Sequence, residues 1–328
     1  MRHLLQSWVQ QFNYWVAMLM SSACLMVSAQ SFPDKPINLL VAFPAGGGTD
    51  IVARKLAVPL SALWGQSVLV DNKGGAGGTI GTVQVARAPA NGYNLLMATM
   101  GNMAMNQHLY NMSIDPVKDL APITNVVGVS FVWVVHPSLP VNNVQELIAL
   151  AKKKPGELNY SSSGIGGAPH LATELLAHMT GTKFTHVVYK GSSPSITDLM
   201  GGQVQFTMDS LVQLLPHIKA GRLKAIAVLG AKRSPLLPQV PTVAESGVTG
   251  YEFTNWFGIV APAQTPKPII QKLHADISKV LQSADLQSEL EKMGADVVNN
   301  TPEKFADQIR SDSQKWDEII RKANIAKQ

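Results

Sequence analysis

Short apolar runs alternate with longer stretches of helical spacing from residue 37 onward. Residues 37–43 read as a buried strand, and residues 49–63 carry the one-sided apolar spacing of a packed helix. A strand over 67–71, a short helix over 79–86 and a strand over 93–99 follow, the last entered through the turn Ala90-Asn91-Gly92. From Val144 the alternation resumes with a helix to Lys153, a strand over 158–161 and a helix over 171–179. A strand over 186–189, a short helix over 196–200 and a strand over 204–208 come next. The set ends with a helix over 211–220 and a strand over 225–229. This order predicts an α/β fold with a largely parallel sheet.

Two β-rich segments interrupt the pattern. Residues 126–135 are long for one strand and contain Gly128, and residues 253–260 contain Gly258. Each is predicted to leave one sheet and enter another. Beyond Pro262 and Pro266, three helices are predicted over 269–281, 286–293 and 305–323. Two crossovers predict one domain from 30–128 plus 257–328, and a second from 129–256.

The N-terminal segment is set apart by its composition. Arg2 is its only strongly basic residue, no acid occurs before Asp34, and an apolar stretch leads to Val27-Ser28-Ala29. Small residues at the last and third-last positions predict a cleavable signal peptide over 1–29 and an exported chain. Cleavage there removes Cys24, the single cysteine, so the exported chain relies on core burial alone. A lipoprotein site at Cys24 ranks below simple cleavage, because Ser21 stands where such sites usually carry leucine. The net charge of +5 suits attraction of small anions, yet the basic residues are scattered, which argues against a nucleic-acid partner. Lys152-Lys153-Lys154, the one cluster, closes a predicted helix and suits its C-terminal dipole.

Candidate chemistry concentrates in two glycine-rich loops. Phe43-Pro44-Ala45-Gly46-Gly47-Gly48-Thr49-Asp50 follows the first strand, and Ser161-Ser162-Ser163-Gly164-Ile165-Gly166-Gly167-Ala168-Pro169-His170 follows a later one. The first amides of a helix lack intrahelical partners, and glycine lets a ligand approach them closely. Two such loops facing one another would make an anion site. A phosphate-binding loop needs a lysine after its last glycine, where this chain has Thr49 and Asp50. The run from Gly74 to Gly81 likewise lacks a dinucleotide fingerprint. Capture of a carboxylate fits better. No GxSxG elbow, metal spacing or carboxylate pair stands out, so no catalytic residue, metal or cofactor is assigned.

Several ordered motifs resemble the tripartite tricarboxylate transporter receptors, also called the Bug family, periplasmic solute-binding proteins. They are Phe32-Pro33-Asp34-Lys35-Pro36-Ile37, the first glycine loop, Asp71 to Gly81, Ser162 to Gly166 with His170-Leu171, Tyr189-Lys190-Gly191, and Asp198 to Val204. The resemblance spans nearly all of the exported chain. It implies a two-lobed fold of the type II periplasmic binding protein kind, with the ligand cleft between lobes. It also implies a small organic carboxylate as ligand, membrane permease subunits as partners, and a monomer.

Carried onto this chain, the resemblance places Phe43, Ala45, Gly46, Gly47, Gly48 and Asp50 on one side of the cleft, and Ser162, Ser163, Gly164 and Gly166 on the other. Thr99 to Asn102 would form a third wall, and His170 would be a hydrogen-bonding partner within the second loop. Asp209 would lie just past its strand, either tuning selectivity or capping the next helix. Asp50 is read more readily as a helix cap than as a ligand contact. Phe43 is read equally as a ligand contact or a core residue, and Trp256-Phe257 as a packed hinge. Gly167 and Gln107 depart from the family pattern and leave the distal part of the ligand open. Two other readings remain: an exported hydrolase or phosphotransferase using the loops as an anion site, and a carboxylate-sensing receptor without transport.

Overall fold

The computed structural model describes residues 32–323, 325 and 327. The expected signal peptide and the lipoprotein site at Cys24 lie outside the described residues. Lys35–Gln328 forms one compact unit, and no helix among the described residues is long and apolar enough to cross a membrane.

In chain order the strands are β1 (Ile37–Val41), β2 (Val68–Asn72), β3 (Asn94–Thr99), β4 (Leu120–Val129), β5 (Phe131–Val135) and β6 (Asn159–Ser162). They continue as β7 (Thr185–Val188), β8 (Phe206–Ser210), β9 (Lys224–Val228), β10 (Asn255–Pro262) and β11 (Ala295–Val297). The helices are α1 (Gly48–Trp64), α2 (Thr79–Ala86), α3 (Pro116–Asp119), α4 (Val144–Lys153) and α5 (Ala168–Thr180). After them come α6 (Ser192–Met200), α7 (Leu211–Lys219), α8 (Lys267–Leu281), α9 (Ala284–Glu291) and α10 (Pro302–Lys322).

The strands form two sheets, ordered β11-β4-β10-β3-β1-β2 and β7-β6-β8-β5-β9. The run expected as one crossing strand is divided at Ser130, whose N–H donates to Gly294 O at 3.1 Å and whose carbonyl accepts from Leu211 N at 2.8 Å. The half before it, β4, pairs in the first sheet, and the half after it, β5, pairs in the second. On the return path, Phe253 N still donates to Leu229 O at 2.9 Å, while Asn255 already pairs in the first sheet.

The expectation of largely parallel sheets is corrected. Between the named strands, parallel pairing is confined to β1 with its two neighbours and β6 with its two neighbours. Strand β10 runs antiparallel to β3 and β4, and β5 antiparallel to β8 and β9. A strand–helix–strand unit returns the chain to the same sheet end and gives parallel neighbours. A strand arriving directly from the other sheet starts at the opposite end of its neighbours and so runs against them.

The central strands β5, β8 and β10 are buried on both faces. Ile37, Leu39 and Val41 in β1 are fully buried, as are Val132 and Val134 in β5, which pack with Leu199 and Leu214 in the core of the second lobe. Gly258 in β10 is required because Phe305 of α10 packs directly against it, where a Cβ would collide with the ring. The helices α1 and α5 start earlier than their apolar spacing suggests, at Gly48 and Ala168. Glycine and proline look like loop residues, yet proline suits a first turn whose N–H has no helical partner. That early start carries both helix ends up to the cleft.

Candidate functional site

Both glycine loops end in the same backbone device. Gly46 (φ +81°) is left-handed and precedes the extended cap residue Gly47, just as Gly166 (φ +71°) precedes the extended cap residue Gly167. Neither cap has a side chain that could bond the first helical amides. The amino ends of α1 and α5 are therefore open to a ligand.

They open into a slot with an empty volume of about 540 Å³, its mouth included. The first lobe contributes Gly47, Gly48 and Thr49 from one helix end, and Gly77, Thr99 and Gly101 from other strand ends. Opposite them stand Ser163, Gly167, Ala168 and Pro169 at the start of α5, and Ser192 at the start of α6. Phe43, Pro44, Phe131 and Phe257 give the slot apolar walls. Asn255 also lines it; its Oδ1 accepts from Trp256 N at 2.8 Å, which leaves its NH₂ as the donor for the slot. Three helix amino ends, uncharged hydroxyls and an amide suit an anion held by hydrogen bonds rather than by a cation.

Asp209 is the one ionisable residue on the slot wall. It lies within β8, not past its strand, and the residue capping α7 is Ser210. Its Oδ1 accepts from Ser210 N at 2.7 Å, and Ser192 supplies a further hydrogen bond. Burial pushes its carboxyl above the ordinary range, and the serine and backbone donors only partly oppose this.

Of the residues expected at the ligand, Phe43, Gly47, Gly48, Thr99, Ser163 and Asp209 line the slot. The others are placed differently. Asp50 turns away: its carboxylate accepts from Gly46 N at 2.9 Å and from Asn72 Nδ2 at 3.0 Å, and it pairs with Arg54 at 3.0 Å. Burial raises its pKa, but these donors outweigh burial and hold it below the usual carboxylate range. It fastens the first loop, reaching back from the first helical turn as a capping acid does.

Ala45 and Gly46 sit at the exposed lip, where Ala45 O accepts from Ser193 Oγ at 3.1 Å across the cleft. Asn102 folds back to accept from Thr99 N at 2.8 Å. Ser162, Gly166 and His170 lie behind the second loop. Gly166 N donates to His170 Nδ1 at 3.2 Å, and Ser162 Oγ contacts His186 Nε2 at 2.6 Å. The rings of Tyr160, His186 and His170 stack in succession at 4.6 Å spacings. Burial brings His170 down to about 3, helped by the neighbouring His186, which burial itself brings down to about 4. Ser162 is fully buried and its hydroxyl also serves Gly164, so this serine–histidine contact braces the loop and is out of reach of a substrate.

Sequence reasoning missed Gly77, Ser192 and Asn255, whereas Gly101 falls within the third wall expected over Thr99 to Asn102. The run from Gly74 to Gly78 did carry a signal, a third glycine loop after a strand, but it matched no nucleotide motif. Asn255 left none, because its place depends on where the chain re-enters the first sheet.

Comparison with known proteins agrees with this architecture. The model of the tripartite tricarboxylate transporter family receptor matches residues 52–325. The chain belongs to this family. Protein BugT of Bordetella pertussis is 37% identical over 297 residues, covering 90% of this chain and 91% of that protein. The solved periplasmic binding protein BugD is 38% identical with a TM-score of 0.87, covering 90% of this chain and all (100%) of that one. An R. palustris protein solved with adipate is 38% identical, with a TM-score of 0.88 over 90% of this chain and 100% of its own. MatC of Rhodopseudomonas palustris, with bound malate, is 28% identical, with a TM-score of 0.85 over 88% of this chain and 100% of its own. The fold is the two-lobed α/β fold of periplasmic binding proteins, and the described slot lies between the lobes.

Proposed function

We propose that this protein is a periplasmic receptor that closes around a small organic carboxylate and delivers it to a membrane transporter. The observation that carries the reading is the pair of glycine-capped helix ends, one from each lobe, opening into one slot without a cationic side chain. Such backbone donors are arranged before the ligand arrives, and both lobes must be in place to supply them. The ligands of two relatives, adipate and malate, support a carboxylic acid as the class.

Phe43, Gly47, Gly48, Thr49, Ser163, Ala168 and Asn255 are the proposed contacts, and Asp209 tunes selectivity. Residues 30–128 plus 257–328 and residues 129–256 are proposed as the two moving bodies, hinged near Ser130 and Phe253 to Asn255. Residues 1–29 direct export and are then removed. A thermal-shift screen of carboxylic acids tests the reading, because a ligand selective for the folded form raises its melting temperature. At least one acid should do so, and Gly47→Val should abolish that shift. A screen in which no acid stabilises the protein refutes the reading.

A further inference from the structure

The slot is built to receive a negative charge, yet its one ionisable wall residue is an acid. The amino ends of α1, α5 and α6 open into it, and no lysine, arginine or histidine lines it. An ionised Asp209 beside a bound carboxylate would put two like charges in one buried space with no cation between them. Such a pair strongly favours holding a proton.

The two carboxyl groups are not served alike. One at the helix ends meets open amides, which favour its charged form. Asp209 has Ser192 and the Ser210 amide as donors, and burial outweighs both. No other charge answers it. The elements packed against β8 carry Tyr160 in β6, His170, Glu174 and His178 in α5, Asp198 in α6, and His217 and Lys219 in α7, while β5 carries no titratable residue. None of these acts on the Asp209 carboxyl. Across the slot, Asp50 is consumed by Gly46, Asn72 and Arg54. Oδ1 of Asp209 already accepts from Ser210 N at 2.7 Å, so a proton on Oδ2 turns that oxygen into a donor.

We propose that this receptor binds its carboxylate together with one proton from water, which Asp209 holds and donates as a hydrogen bond to the ligand. This rests on the carboxylate-receptor reading above. The ligand then presents an oxygen acceptor to Asp209, and an ammonium group at that position is disfavoured. The loaded form is favoured on the acid side, and release on the alkaline side.

Calorimetric titration of the exported protein with malate, adipate and the other acids of the screen tests this between about pH 6.5 and about pH 9, where carboxylic acids of ordinary pKa are ionised. His170 and His186, at about 3 and about 4, stay neutral over that range. Parallel titrations in phosphate and Tris, which differ in ionisation heat, should report uptake of up to about one proton per ligand. Affinity should fall by up to about tenfold per pH unit where Asp209 ionises in the free protein. Asp209→Asn, whose amide donates as the protonated acid does, should bind without proton uptake and without that slope. At about pH 9 it should exceed wild type by roughly tenfold. Ser192→Ala removes a donor that favours the charged form, so its fall in affinity should begin at higher pH. Level affinity with no proton uptake in wild type overturns the proposal, whether or not the variants fold. So does loss of binding in folded Asp209→Asn, which would mark an ionised acid paired with a cationic group of the ligand. In either case an acid still binds wild type and only the protonated Asp209 falls. If no acid binds, the receptor reading falls with it.

Discussion

Gly77→Ala separates closure of the lobes from stability of the fold. Gly77 belongs to the first lobe, and a Cβ there would stand 2.5 Å from the Ile165 carbonyl oxygen of the second. Ordinary contact needs about 3.5 Å, so the lobes must draw back by about 1 Å. That retreat stretches the Tyr110 Oη to Ile165 O hydrogen bond, 2.8 Å long, beyond useful range. The Ser193 to Ala45 bond across the cleft, at 3.1 Å, would lengthen with it. Each such bond contributes about 0.5–1.5 kcal/mol, so the closed form loses about 1–3 kcal/mol. Carboxylate affinity should drop by about five- to a hundredfold.

A second effect has a different signature. Gly77 has φ +62°, a left-handed conformation that costs alanine about 1 kcal/mol whether the lobes are open or closed. The ligand-free melting temperature should therefore fall by only about 2 °C. Calorimetric titration and a ligand-free melting curve measure the two effects apart. Tyr110→Phe is the companion variant: it removes one cross-cleft bond without backbone strain, so affinity falls by about fivefold at unchanged melting temperature. Native affinity in Gly77→Ala would show that the lobes do not close through this contact.

Three further outcomes are expected. Gly47→Val should lose carboxylate binding while keeping its fold, since Gly47 has φ −75° and its Cβ meets only Pro44 O at 3.6 Å, whereas the branched methyls enter the slot; a titration showing native affinity would remove Gly47 from the site. Asp50→Asn should cost about 2 kcal/mol in denaturant unfolding at pH 7. Because the folded carboxyl is held low, that contribution is present above the ordinary carboxylate range and is lost as pH falls through the folded value, so wild type and variant should converge only below the ordinary carboxylate range. His170 and His186 are both depressed, to about 3 and about 4, so the unfolded chain takes up protons first as pH falls below about 6.5. Unfolding free energy should then decline by roughly 1.4 kcal/mol per pH unit for each histidine, and His170→Gln should remove about one proton's share of that slope.

Much of the architecture was legible from local pattern. Apolar spacing located α2 and α4 to the residue, since Thr79–Ala86 and Val144–Lys153 each end where their packed face ends. The glycine loops were legible as paired helix openings, because glycine adopts the left-handed backbone of Gly46 and Gly166 without steric cost. Strand β11, three residues long, was invisible because so short a run has no period to read. Its pairing with β4 is what secures it.

What the chain determined by itself was therefore the local chemistry: an α/β alternation, two crossings near residues 130 and 255, and backbone donors at two helix ends. Tertiary structure alone decided which side chains share the slot. Asp50 and Asp209 are both acids beside a glycine loop or strand end, yet one is consumed by Gly46, Asn72 and Arg54 while the other faces the cavity. Likewise Gly77, Ser192 and Asn255 come from three segments far apart in sequence and meet only when the lobes face each other. Local conformation follows from neighbouring residues, whereas a wall between two lobes depends on how far each turns about the hinge, and no sequence period encodes that rotation.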